Sequence, residues 1–140
     1  MTIFKVMTSP NEITEETQPP FVAIVDDDPS IRRSTQRLFA SAGMRAKAFG
    51  SVEELLASGA VLDADCLLLD VCLPGMDGLT LQEHLAQTSI PIVFMTARAT
   101  EEEEHRALRR QAAGFLRKPV ATEALLGAIY GALAANHQTA

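Results

Sequence analysis

The sequence predicts an α/β fold: a doubly wound, five-stranded parallel sheet in the order 2-1-3-4-5. Three observations carry this reading. Five short runs of β-branched or apolar residues alternate with five longer segments of helical period. Each helical segment opens on a recognisable start signal. The alternation fills about 120 residues, the size of one domain, and right-handed crossovers between parallel strands would place the helices on both faces.

The elements follow in order. Residues 1–20, MTIFKVMTSPNEITEETQPP, carry few large apolar side chains, Ile3, Phe4, Val6 and Ile13 besides Met1 and Met7, and read as a mobile extension. FVAIV (21–25) is the first strand, and the helix over 29–42 opens on Pro29, where a missing N–H is tolerated, and stops at Gly43. MRAKAF (44–49) leads to a helix over 51–58, with Ser51 ahead of Glu53 and Glu54. DCLLLD (65–70) precedes a helix over 78–87, and PIVFMT (91–96) one over 100–112. In the latter, Thr100 precedes Glu101 to Glu104, which suit the positive end of a helix, and Gly114 is the expected stop. Leu108 is the chief large apolar residue of this fourth helix, so light packing is expected. GFLRK (114–118) is the fifth strand. The last helix, over 121–135, carries a stripe of Leu125, Leu126, Ile129, Tyr130 and Leu133, wider than one core face needs. The expected domain is 21–136, with a tail at 137–140.

Composition excludes several classes. The 140 residues are 47% hydrophobic and 21% charged, enough for a core and against wholesale disorder. No apolar run approaches the ~20 residues that cross a bilayer, and the first residues resemble no secretion signal. A net charge of −6 argues against direct nucleic-acid or membrane binding. Cys66 and Cys72 fit neither a disulfide framework nor a zinc site, so a reducing, cytoplasmic location is expected. His84, His105 and His137 share no spacing and read as surface residues.

Open α/β sheets bind ligands at the carboxyl ends of their strands, beside the point where strand order reverses. Here the first strand runs into Asp26-Asp27-Asp28, the third into Asp70, the fourth into Thr96 and the fifth into Lys118-Pro119. In the expected order, Asp26, Asp27 and Asp70 converge and Thr96 and Lys118 close the far side. Converging carboxylates demand a cation, and hard oxygen ligands suit Mg²⁺. A lysine and a hydroxyl aimed at the same point suit a phosphoryl group, and an Asp carboxylate can accept one as an acyl phosphate. The excess charge concentrates there: Asp26, Asp27, Asp28 and Asp70 against Lys118 account for half of it.

FVAIVDDDP, LLLDVCLPGMDG, FMTA and AAGFLRKP, in this order, closely resemble the receiver domain of bacterial two-component response regulators, over about 21–135. The resemblance implies the flavodoxin-like (βα)5 form and a set of roles. Asp70 would be the phosphoacceptor, taking its group from a phosphohistidine on a sensor histidine kinase or a histidine phosphotransfer protein. Asp27, Asp70 and the backbone carbonyl of Cys72 would bind Mg²⁺, with Asp26 acting mainly through a metal-bound water. Lys118 would pair with the phosphoryl group, Thr96 would move to hydrogen-bond it, and Phe115 would be the aromatic switch, turning inward as Thr96 moves. Lys118-Pro119 would be a cis peptide.

The chain departs from the family pattern in a few places. Asp28 stands where Glu is usual, leaving open which two residues of the triplet hold the metal. Phe115 lacks the hydroxyl of a tyrosine, and Val120 stands where an aromatic is common. Cys72 and Arg98 occupy positions where side chains gate attacking water, and exchanging either would alter the phosphoryl lifetime without abolishing phosphorylation.

Simpler readings stand beside these. Asp26 and Asp27 could cap the first helix, Lys118-Pro119 could be a solvated turn, and Cys66 is a small buried hydrophobe. The resemblance implies a switch, not an enzyme, with at most self-phosphorylation from small donors and autodephosphorylation. A homodimer through the fourth helix, fifth strand and fifth helix would use the wide stripe. Only ANHQTA follows the last helix, so the chain reads as a standalone receiver or as a fragment of a longer, DNA-binding response regulator. An aspartyl-nucleophile phosphatase would need a carboxylate two residues after Asp70, where Cys72 stands. A nucleotide or flavin module would need a glycine-rich cradle, and DDDPS is not one.

Overall fold

The computed structural model describes residues 5–6, 14–15 and 18–138. Five strands form one parallel sheet: β1 (Phe21–Val25), β2 (Arg45–Phe49), β3 (Cys66–Leu69), β4 (Ile92–Thr96) and β5 (Gly114–Arg117). Five helices connect and flank them: α1 (Pro29–Ser41), α2 (Val52–Ser58), α3 (Gly78–His84), α4 (Glu101–Arg109) and α5 (Thr122–Gln138). The spatial order is β2-β1-β3-β4-β5, the order expected from sequence. Outside this sheet, Lys5–Val6 pairs antiparallel with Thr14–Glu15; the rest of the expected N-terminal extension up to residue 17 lies outside the described residues, as do 139–140.

The three inner strands are apolar except for Thr96 at the end of β4, because both faces are covered. Alternate residues sort to opposite sides. Phe21, Ala23, Val25, Leu67, Leu69, Ile92 and Phe94 face a core with Val52 and Leu55 of α2, Leu79 and Leu81 of α3 and Ala107 of α4. Val22, Ile24, Cys66, Leu68, Val93 and Met95 face the other core, with Phe39 of α1 and Leu125, Ile129 and Leu133 of α5. The edge strands are only partly covered, and both end-rows carry cations, Arg45 and Lys47 on β2 and Arg117 on β5, which discourage edge-to-edge pairing.

Caps mark the helix starts. Asp28 accepts the Ser30 N–H at the start of α1, Ser51 accepts that of Glu54 in α2, and Thr100 with Glu103 forms a reciprocal capping box on α4. Two sequence expectations are corrected. Gly114 does not stop α4; the helix ends at Arg109, Gln111 turns the chain at a φ of 72°, and Gly114 opens β5. Leu108, the chief large apolar residue of α4, is 46% exposed, and the buried contact is Ala107. The last helix continues to Gln138, beyond 135. A short 3-10 turn over Ala60–Leu62, not expected from sequence, joins α2 to β3.

Candidate functional site

Register builds the site. Val25 pairs with Leu69, so Asp26 and Asp70, one step beyond, emerge side by side, and the Asp70 N–H donates to the Val25 carbonyl at 3.0 Å. Leu69 pairs with Phe94 and Thr96 with Arg117, which brings Thr96 and Lys118 to the same end of the sheet. Asp26, Asp27, Asp70, Thr96 and Lys118 line one cleft of about 230 Å³ together with Asp28, Cys72, Ala97 and Arg98. This is where the strand order reverses between β1 and β3.

Asp26 and Asp70 are almost fully buried, whereas Asp27 is exposed. The Lys118 ammonium donates to Asp26 Oδ2 at 2.7 Å and to Asp70 Oδ2 at 3.1 Å. Asp26 Oδ1 accepts the Asp28 N–H at 3.0 Å, and Asp70 Oδ1 accepts the Cys72 N–H at 3.1 Å and the Thr96 hydroxyl at 2.7 Å. Burial pushes the Asp26 carboxyl above its usual range, more than the Lys118 and Asp28 hydrogen bonds pull it down. Burial disfavours the Lys118 ammonium as well, but its bonds to Asp26 and Asp70 outweigh that and hold it above the ordinary lysine value.

Asp26, Asp27 and Asp70 each bring a carboxylate oxygen within 4.8 Å of the others. At that spacing, two unit charges repel by about 3 kcal/mol at an effective dielectric constant of about 20. One ammonium offsets part of this, and a divalent cation would offset the remainder; the hard oxygen donor set fits one. Within the triplet Asp28 is engaged elsewhere: its carboxylate caps α1 and accepts both the N–H and the hydroxyl of Ser30 at 2.9 Å. Asp26 and Asp27 are therefore the pair that faces Asp70, and the capping alternative applies to Asp28 instead.

Several supporting contacts have no local sequence signal. The Arg32 guanidinium donates to the Asp26 carbonyl at 2.7 Å. The Cys72 thiol donates to the Arg98 carbonyl at 2.8 Å, and burial followed by the nearby Glu103 and Asp70 charges pushes it above the usual thiol value. Cys66 is buried, as expected, and its thiol is pushed up to about 12. Gly78 has no room for a side chain: a Cβ there would collide with the Asp70 carbonyl oxygen and lie 3.1 Å from the Phe94 ring. Phe115 is half-buried against Phe94, with ring centroids 5.8 Å apart. Lys118-Pro119 is cis, as expected. His84 and His105 are exposed, as expected; the side chain of His137 is outside the described residues.

Residues 22–130 match the family model of the response regulator receiver domain. The chain belongs to that family. The receiver domain is 41% identical over 121 residues to nodulation protein W of Bradyrhizobium diazoefficiens, covering 85% of this chain and 53% of that protein. It is 38% identical over 114 residues to response regulator protein TmoT of Ectopseudomonas mendocina, covering 80% and 52%. The chain thus spans about half the length of these curated relatives. Among solved structures, it resembles a CheY-like receiver domain protein from Methanospirillum hungatei with a TM-score of 0.79 at 26% identity, covering 87% of this chain and 99% of that one. A receiver protein from Burkholderia phymatum gives 0.73 at 34% identity, covering 82% and 95%. These relatives make the chain a two-component signal-transduction module of the flavodoxin-like class. Among the described residues, no helix is long and apolar enough to cross a membrane.

Proposed function

We propose that this receiver domain accepts a phosphoryl group on Asp70 from a phosphohistidine of a sensor histidine kinase or histidine phosphotransfer protein, and acts in the cytoplasm as a switch rather than as an enzyme with turnover. The observation that carries the reading is the convergence on Asp70. A hydroxyl, an ammonium and a backbone N–H all reach its carboxylate, and two further carboxylates stand beside it.

Asp70 Oδ would attack the phosphorus, and the phosphorus–nitrogen bond of the donor would break. Asp26, Asp27, Asp70 and the Cys72 carbonyl would hold Mg²⁺, which supplies charge neutralisation for the phosphoryl oxygens. Lys118 and Thr96 already touch Asp70, so each needs only a small displacement to follow the new oxygens. Withdrawal of Thr96 from its present partners would free space beside Phe115 and shift populations of the α4, β5 and α5 surface. That surface is also the proposed homodimer face: Tyr130 is 49% exposed while Leu125, Ile129 and Leu133 of the same stripe are buried. By analogy with its longer relatives, the domain would serve as the receiver of a larger, DNA-binding regulator and contact no nucleic acid itself.

The test is an NMR titration with Mg²⁺ and beryllofluoride. Signals of α4, β5 and α5 should shift in wild type and stay fixed in Asp70→Asn. Identical responses in the two proteins would overturn the assignment.

A further inference from the structure

We propose that Glu53, an exposed carboxylate on α2, is a positioning residue that clasps the loop between β3 and α3 and thereby sets the geometry of the cleft. The inference rests on the receiver reading only for its consequence at the metal site. The clasp itself is geometric.

The loop leaves Asp70 and ends at Asp77, which caps α3 by accepting the Thr80 N–H at 2.8 Å. Its base is tied inside itself, through Gly78 N–H to the Val71 carbonyl at 3.1 Å and Cys72 N–H to Asp70 Oδ1 at 3.1 Å. Its tip is not tied in this way. There the Met76 N–H donates across 23 residues to Glu53 Oε2 at 3.0 Å. The same carboxylate lies directly over Gly75. A Cβ at that position would come within 2.7 Å and 3.1 Å of its two oxygens, and Gly75 has a φ of +75°, so the tip requires glycine for conformation and for space. The Met76 N–H, ahead of the other contributions, holds the Glu53 carboxyl below its usual range, so the acceptor is ionised at neutral pH.

Position in the chain gives the clasp its leverage. Glu53 sits in the first turn of α2, which is anchored by buried Val52 and Leu55 and capped by Ser51. A rigid helix end therefore holds the loop from outside. Between clasp and Asp70 lie Val71 and Leu73, both buried in the core, and Cys72, whose N–H touches the phosphoacceptor carboxylate and whose carbonyl is the proposed metal ligand. Displacing the tip pulls on that short segment. Outer contacts of this kind orient ligand groups without touching the metal.

The experiment compares Glu53→Ala and Glu53→Gln with wild type by residue-resolved amide hydrogen exchange in metal-free buffer, together with Mg²⁺ titration by NMR. In Glu53→Ala, exchange of Gly75 to Asp77 should rise about fivefold while α1 and α5 stay protected, and Mg²⁺ affinity should fall about threefold. Glu53→Gln retains an acceptor and should restore most of the protection. Unchanged exchange at the tip would overturn the clasp, as would a uniform rise across the domain, which marks loss of general stability. If the tip loosens but Mg²⁺ affinity holds, the positioning role is overturned. Should wild type bind no Mg²⁺, the receiver reading of the site fails, and the exchange data still decide the clasp.

Discussion

Asp26 shows how a single buried carboxylate is made to stand against its own solvation. Its neutral form is favoured by burial, and Asp70 beside it adds repulsion, so ionisation at neutral pH costs the metal-free fold stability. A carboxyl raised above its ordinary value binds its proton more tightly in the folded state, so its penalty is complete above the raised value and absent below the ordinary 3.8. Asp26→Asn should therefore stabilise the metal-free domain by about 1 kcal/mol at pH 7, with the gain shrinking as pH falls through the acid range. Chemical denaturation at several pH values reads this directly, and a destabilised variant at pH 7 would contradict it. Lys118 works in the opposite sense. Its value is raised, so its contribution is complete below the ordinary lysine value of 10.5 and is lost as pH rises through the raised one.

At the scale of elements, α4 is held unequally at its two ends. Towards its C-terminus, the buried Gln82 of α3 donates through Nε2 to the Ala107 carbonyl at 3.0 Å and the Arg110 carbonyl at 3.4 Å, and Ala107 packs in the core. Its N-terminal turn is held from β5 by Arg117, which donates to the Ala99 carbonyl at 2.9 Å and pairs with Glu104 at 2.8 Å while lying 5.5 Å over the Phe115 ring. Both members of that ion pair are partly exposed, so the pair adds at most about 1 kcal/mol. Arg117→Met should consequently speed amide exchange at 99–104 and shift the Phe115 ring signals, with the turn around Ala107 still protected. Equal loosening of both ends would refute this. The sequence pointed to a lightly packed α4 without naming the residue that holds it. Leu108 is the larger apolar residue, yet helix phase turns Ala107 inward, and a nine-residue helix with two apolar candidates one step apart does not fix its own phase.

For the molecule as a whole, the sheet gathers half of the excess negative charge at one end. Any cation bound between Asp26, Asp27 and Asp70 stabilises the fold by mass action, by about 2.7 kcal/mol at roughly a hundred times its dissociation constant. Mg²⁺ should raise the melting temperature by several degrees at constant ionic strength, and the rise should vanish in the Asp26→Asn, Asp27→Asn double variant. A rise of equal size in that variant would place the ion elsewhere.

Much of this is legible in the sequence. Strand runs, helix caps and the residues at strand ends depend on neighbours within a few positions, because apolar period and capping are local, and so the sequence by itself determined the five βα units, the acidic pair, Asp70, Thr96 and Lys118. What the tertiary structure decided is everything that depends on register and helix phase. Lys118 meets Asp26 across 92 residues and Asp70 across 48, and Glu53 reaches Met76 across 23. Gln111 also takes the left-handed turn that Gly114 was expected to supply, since α4 ends before that glycine is reached. A local pattern cannot specify such pairs, because two side chains separated by that much chain meet only when several packed elements have fixed where both of their backbones lie.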